Sequence, residues 1–231
     1  MRRYVQLFVL ILTVLQNGWA KDEKDVAIYE THNNFYGKEK EYLVTEFERF
    51  EHVRDIQAYD PVFHFPPIRQ DTTNTCWCFC TTSFLESELH RLGRGDIELS
   101  RMFTVYWEYV EKVRRFVGEK GESLVAEGSQ PNAVIQRMQQ YGAVRASDYS
   151  GLLNDETIHN HFVMHDEITE YLDYVKEHQL WHEDEVIANV RMIMDRYLGR
   201  PPESINVDGV DMTPVEFLQN KLQLSLENYV S

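Results

Sequence analysis

The chain has 231 residues, 43% hydrophobic and 13% aromatic. That is enough apolar material for a packed core, and it excludes a globally disordered protein. With 23 Lys and Arg against 38 Asp and Glu, the formal net charge is −15, so clustered cations for neutralising phosphates are lacking and nucleic acid is excluded as a partner; the acidity says nothing about fold.

Arg2 and Arg3 precede an almost unbroken apolar run from Tyr4 to Leu15, and the charged stretch Lys21-Asp22-Glu23-Lys24 follows. Gly18 and Ala20 fit the −3 and −1 positions of a signal-peptidase site. The run is too short for a bilayer core of about 30 Å. Residues 1–20 are therefore expected to be a cleaved signal peptide, with the mature chain secreted or periplasmic and not held by a membrane. All three cysteines fall in Cys76-Trp77-Cys78-Phe79-Cys80. An odd count in an oxidising compartment leaves at least one free thiol, so a disulfide framework does not hold this fold.

Residues 21–60 are polar and acidic and read as an N-terminal extension. Residues 61–69, Pro-Val-Phe-His-Phe-Pro-Pro-Ile-Arg, contain three prolines and predict an extended lead-in. Phe79, Ser83, Leu85 and Leu89 recur near helical spacing and predict a helix over 76–92, ended by Gly93. Ser100 is a cap for a long helix to about Phe116, with Phe103, Tyr106, Trp107 and Val110 as its apolar stripe. Pro131 suits a first helical turn; Val134, Ile135 and Met138 then face inward, and Gly142 follows the end. Residues 152–200 hold eleven acids against four bases and five of the nine histidines. Ile168, Leu172 and Val175 mark one helix there; Val186, Ile187, Val190 and Met194 mark another, and their acids form a solvated surface. Alternation from Ile205 to Met212 around Asp208-Gly209 predicts a small hairpin. Thr213-Pro214-Val215-Glu216 is a capping box for a last short helix.

A nucleophilic thiol needs a lowered pKa, a base nearby and donors for the oxyanion. A helix N-terminus supplies the first, because its unpaired N–H groups stabilise thiolate. Cys76 stands where a helix is predicted to begin, just after the polar, turn-prone run Asp71-Thr72-Thr73-Asn74-Thr75. With Gln70 six residues earlier and Cys76-Trp77-x-Phe79 following, this stretch resembles the active-site signature of the papain superfamily of cysteine peptidases. Leu99-Ser100 resembles the pair opening that family's next helix. Glu127-Gly128-Ser129-Gln130-Pro131 resembles the glycine-rich segment that hydrogen-bonds the substrate backbone, and Tyr141-Gly142 with Tyr149 resembles the close of the helical domain. The insertion after Gly151 looks more like the bleomycin hydrolase or aminopeptidase C branch.

The resemblance implies catalytic roles for Cys76 as nucleophile and Gln70 as oxyanion donor. It implies substrate contacts at Asn74, Trp77, Gly128 and Ser129, no metal and no cofactor. It implies a peptide or protein substrate, cleaved through a thioester acyl-enzyme with aminopeptidase-like specificity, and it is compatible with an oligomer. The expected fold class is α+β: mainly the papain-like helical left domain over 61–151, then a helical insertion with a small hairpin over 152–231, with the β-rich right domain largely absent. Asn74 stands where a glycine is usual and is expected to tolerate a left-handed backbone. Ser129 replaces a second glycine, which narrows the approach of substrate. Cys78 and Cys80 occupy positions that are usually small and are expected to pack as small hydrophobes.

The largest departure is that no His occurs after His182 and no Asn-Ser-Trp-Gly-like segment occurs at all, so the family's imidazole base is missing. The sequence stops about where the second domain should begin, which points to truncation. The alternative is a truncated, non-catalytic papain-like protein that binds peptides or a partner, exposing the apolar face on which the second domain normally packs. Metal binding by the three thiols is disfavoured, because residues two apart on a helix point to opposite sides. His159, His161 and His165 are the sharper metal candidates, since His161 and His165 can share a helix face beside Asp166; solvated surface histidines are the commoner reading.

Overall fold

The computed structural model describes residues 28–34, 37–44 and 55–229. The expected signal peptide lies outside them. The chain divides into two compact units, Met1–Pro61 and Val62–Ser231. In the first, β1 (Ile28–Asn33) pairs antiparallel with β2 (Glu39–Val44). Asn34 N–H donates to Lys38 O (2.8 Å), Gly37 N–H donates to Asn34 O (2.9 Å), and Gly37 adopts φ +72°, a conformation that suits glycine. Tyr29, Tyr42 and Leu43 are exposed.

Among the described residues, the second unit contains six α-helices and one small sheet: α1 (Cys76–Arg91), α2 (Arg101–Gly118), α3 (Pro131–Tyr141), α4 (Phe162–Glu177), α5 (Glu183–Leu198), the hairpin β3 (Ile205–Val207) and β4 (Val210–Met212), and the short α6 (Pro214–Glu216). The described chain is thus a mixture of helices and small sheets, consistent with an α+β class. Among the described residues no helix is long and apolar enough to cross a membrane.

Helix α2 is the centre of the core. Phe103, Val105, Tyr106, Tyr109, Val110 and Val113 are buried along it, and it packs against α1, α3 and α5. Trp107 is only half-buried; it stacks on Tyr141 with ring centroids 4.0 Å apart. The start of α2 is fixed by Ser100. Its Oγ accepts from Phe103 N–H (3.1 Å) and donates to Tyr149 O (2.5 Å), which ties the cap to the loop after α3. The helices α4 and α5 bury Met164, Ile168, Leu172 and Val175, and Val186, Val190, Met194 and Leu198. Tyr106 Oη donates to Asp195 (2.7 Å) and joins α2 to α5.

On α1 the buried positions are Trp77, Cys78, Thr81, Thr82, Leu85, Glu86 and Leu89. Ser83, expected on the apolar stripe, is only half-buried, and Thr82 takes the interior place. The face is polar in part because Glu86 serves the next segment: its Oε1 accepts from Leu99 N–H (2.8 Å) and its Oε2 from Arg101 Nη2 (3.0 Å). Cys78 is fully buried and donates Sγ–H to Arg101 O (3.3 Å). Cys80, expected to pack inside, is instead exposed.

The β3–β4 turn has Asp208 and Gly209 both at positive φ, 53° and 83°, as a two-residue primed turn requires. Thr213 and Glu216 form the reciprocal capping box, after which the chain continues as a π-helical turn, Phe217–Leu222. Gly142 ends α3 at φ 79°, ψ −157°, and Ala143 N–H donates to Pro214 O (3.1 Å).

Candidate functional site

Cys76 is the first residue of α1 and is exposed. The turn before it is held by Thr73 and Thr75, both buried, whose hydroxyls share a hydrogen bond (2.6 Å); Thr73 Oγ1 also lies 2.7 Å from Gln70 O. Thr75, the N-cap, makes no side-chain capping bond; its carbonyl accepts from Cys78 N–H (2.9 Å), so its side chain leaves the Cys76 and Trp77 N–H groups unconsumed. Gln70 is half-buried with Oε1 turned inward and unbonded, which leaves the amide's donor end as the accessible one.

Asn74 does not take the left-handed backbone expected of it. The positive φ in this turn belongs to Asp71, at 54°. What Asn74 contributes is its side chain: Nδ2 donates to Glu127 Oε2 (2.7 Å), and Trp77 Nε1 donates to Glu127 O (3.2 Å). One residue thus receives hydrogen bonds from both sides of Cys76, and that residue directly precedes Gly128. The segment is supported from below by α2. Lys112 Nζ donates to Ala126 O and Gly128 O, both at 2.6 Å, and Ser129 Oγ donates to Glu108 Oε1 (2.7 Å). Glu108 in turn pairs with Arg137 at 3.4 Å. Burial pulls Lys112 below its ordinary value, opposed by Glu108. The Ser129 hydroxyl points down to α2, so it does not narrow the approach to the segment as expected. A Cβ on Gly128 would meet nothing within 4 Å; the space above it is open.

The histidines were missed as partners of this turn. Thr72 and Asn160 form a parallel bridge, Thr72 N–H and Oγ1–H both donate to His159 O (3.2 and 3.0 Å), and His159 N–H donates to Asp71 Oδ2 (3.1 Å). The next histidine, His161, is the N-cap of α4 and only 1% exposed, with Nδ1 3.4 Å from Glu127 Oε1. Neither of its ring nitrogens makes a hydrogen bond, and Tyr109 Oη and Glu127 Oε1 are likewise buried without one. The reading as solvated surface histidines therefore fails for His161; His159 and His165 are half-buried. Among the described residues no group of three or more His, Cys, Asp or Glu side chains could hold a metal ion. The one sequence signal for the seam was the clustering of His159, His161 and His165 just after the segment matched to the helical domain.

Burial, reinforced by His159 and His165, pulls His161 down to about 4 from 6.5; burial also lowers His159, opposed by Asp71 and Glu156. Burial, then Glu127, holds the Tyr109 phenol well above its ordinary range. His161 is therefore a buried neutral imidazole. A group with a depressed folded pKa of this kind binds its proton more readily when unfolded, so its contribution is present above pH 6.5 and lost as pH falls towards 4. We expect urea unfolding to show a loss of about 3 kcal/mol across that window from this residue. His161→Gln should flatten the pH dependence; an unchanged profile would show that His161 is not the titrating group.

No family model matches the chain. It is 22% identical over 200 residues to aminopeptidase C of Listeria monocytogenes and 21% identical over 200 residues to aminopeptidase C of Listeria innocua. Each match covers 70% of this chain and 44% of the relative, so the chain spans less than half the length of the curated relatives it matches. Among solved structures it is similar to PepW from Lactobacillus rhamnosis, at TM-score 0.45 and 17% identity, covering 68% of this chain and 44% of that one.

Proposed function

We propose that the chain carries the nucleophile-bearing part of a papain-like cysteine peptidase, aminopeptidase-like in specificity and exported from the cytoplasm. The observation that carries this reading is Cys76 itself: an exposed thiol on the first residue of an α-helix, bracketed by two hydrogen bonds, from Asn74 and Trp77, to the residue before Gly128. Two distant relatives named aminopeptidase C support the same class.

In this reading the Cys76 thiolate attacks the carbonyl carbon of a peptide bond. The Gln70 amide and the Cys76 N–H take the developing oxyanion, where donors set in advance act most strongly. Gly128, with its open upper side, and Ser129 align the substrate backbone, and Trp77 packs behind the thiol, fixing the helix start. Asn74 sets the distance between the nucleophile's turn and the substrate segment through Glu127. The leaving amine of a peptide needs a proton, and no residue of the chain is assigned that role.

The acylating half can be tested alone, because an activated ester leaves without a general acid. An aminoacyl nitrophenyl ester is expected to acylate Cys76 stoichiometrically, as seen by intact mass and peptide mapping. Cys76→Ala should abolish the adduct. Gln70→Ala should slow acylation by about 10²–10³-fold, as loss of one oxyanion donor does. Equal acylation of Cys80, or no effect of Gln70→Ala, would overturn the assignment.

A further inference from the structure

We propose that Cys76 and Cys80 form a dithiol site that takes one soft, thiophilic centre, of which a trivalent arsenical is the chemical type. The two residues stand four apart on α1, so they share a helix face. Both are exposed, while Cys78 between them is buried on the opposite side. Cys78 is further withdrawn by its bond to Arg101 O, and burial pushes its thiol up to about 12. The three thiols of Cys-Trp-Cys-Phe-Cys thus divide into one interior group and one exposed pair.

Cys80 Sγ lies 3.4 Å from Trp77 O and 3.9 Å from Thr81 Oγ1, on the Trp77–Thr81 side of the helix, and a rotation about χ1 brings it over Cys76. Cβ atoms four residues apart on a helix are about 5–6 Å from each other. A disulfide needs them at about 3.5–4.5 Å, so the helix holds the pair too far apart for a direct bond. A single atom bound between the two sulfurs spans the wider gap and leaves the helix intact. Thiolates select soft centres over hard ones.

With an arylarsenoxide the reaction balances without oxidation. Two As–S bonds form, the oxygen on arsenic leaves as water with the two thiol protons, and arsenic stays trivalent. The nucleophile is then masked, and a small dithiol restores it by exchange. The site needs only the two thiols and does not rest on the peptidase reading. An adduct in a chain that the ester fails to acylate would remove that reading and leave this one; acylation without an adduct would do the reverse.

The test is titration of the full chain with phenylarsine oxide, read by intact mass and by protection of Cys76 from iodoacetamide. We expect a one-to-one adduct that 1,3-propanedithiol reverses. Cys80→Ser should weaken binding by at least about a hundredfold, because the second thiol acts at high effective concentration, while Cys76 remains open to iodoacetamide. Cys76→Ser should weaken it equally, and Cys78→Ala should leave it unchanged. If Cys78→Ala does not fold, mapping the arsenic-bridged peptide in the parent chain decides the same point. Undiminished affinity in Cys80→Ser, or arsenic on Cys78, would overturn the proposal.

Discussion

Arg101→Met is expected to destabilise the chain by about 3–5 kcal/mol at pH 7, the cost of leaving a buried charge without its partner. Glu86 is fully buried and Arg101 only 7% exposed. The Glu86 carboxylate accepts from Arg101 and from Leu99 N–H, and Arg101 Nη1 also donates to Leu99 O (3.2 Å). The pair therefore fixes the connection between α1 and α2. Burial raises Glu86 above its ordinary value, while the Leu99 N–H and Arg101 oppose the rise. Removing Arg101 enlarges the rise. A carboxyl with a raised folded pKa contributes fully below its unfolded value and loses that contribution as pH climbs through the folded one. The defect of Arg101→Met should accordingly shrink when urea unfolding is repeated near pH 5. The double variant Glu86→Leu with Arg101→Met should recover much of the loss, since a well-packed apolar pair often matches a buried ion pair. A pH-independent defect would show that the loss is one of packing rather than of charge.

Gly142→Ala should cost more than about 3 kcal/mol. Gly142 lies at φ 79°, ψ −157°, a region that is essentially glycine's alone. A Cβ there would stand 2.1 Å from Pro214 C, 2.2 Å from Pro214 O and 2.3 Å from Val215 N. These are backbone atoms inside a closed capping box, so they cannot swing aside. The control is Gly209→Ala, at φ +83° with nothing within 4 Å of its would-be Cβ. It carries the backbone penalty alone, about 1–2 kcal/mol. Thermal unfolding of the two variants separates strain from collision, and equal losses would mean that the 213–216 turn yields.

Two helices, α4 and α5, were read from apolar periodicity alone; other boundaries were read because the ends carry their own chemistry. Ser100, Pro131, Gly142 and the Thr213–Glu216 box act within a few residues, and the structure places each at the element boundary it signals. The buried face of α1 was harder to read because it carries Thr81, Thr82 and Glu86, whose burial depends on partners such as Leu99 and Arg101 beyond the helix. The β1–β2 hairpin gave no alternation to read, since residues on both faces are exposed. At the candidate site, Cys76 as a helix start was legible from the turn-prone run before it. Asn74 was read through its backbone, whereas its side chain reaches Glu127, 53 residues away. His161 read as a surface group because exposed histidines are the commoner case, and the seam between residues 71–72 and 159–160 draws it inside.

That seam, with the hydrogen bonds to Glu127, has a consequence for the order in which the molecule assembles. The bonds that shape the Cys76 turn close loops of 50, 53 and 88 residues. Contacts so distant along the chain are made after the local ones, because closing long loops costs entropy before the contacts return it. Helices α1 and α2 can therefore form while the thiol's surroundings are still incomplete. In a refolding time course, the native reactivity of Cys76 toward iodoacetamide should be reached only after recovery of helical signal. The thiol then serves as a clock for the last step of folding.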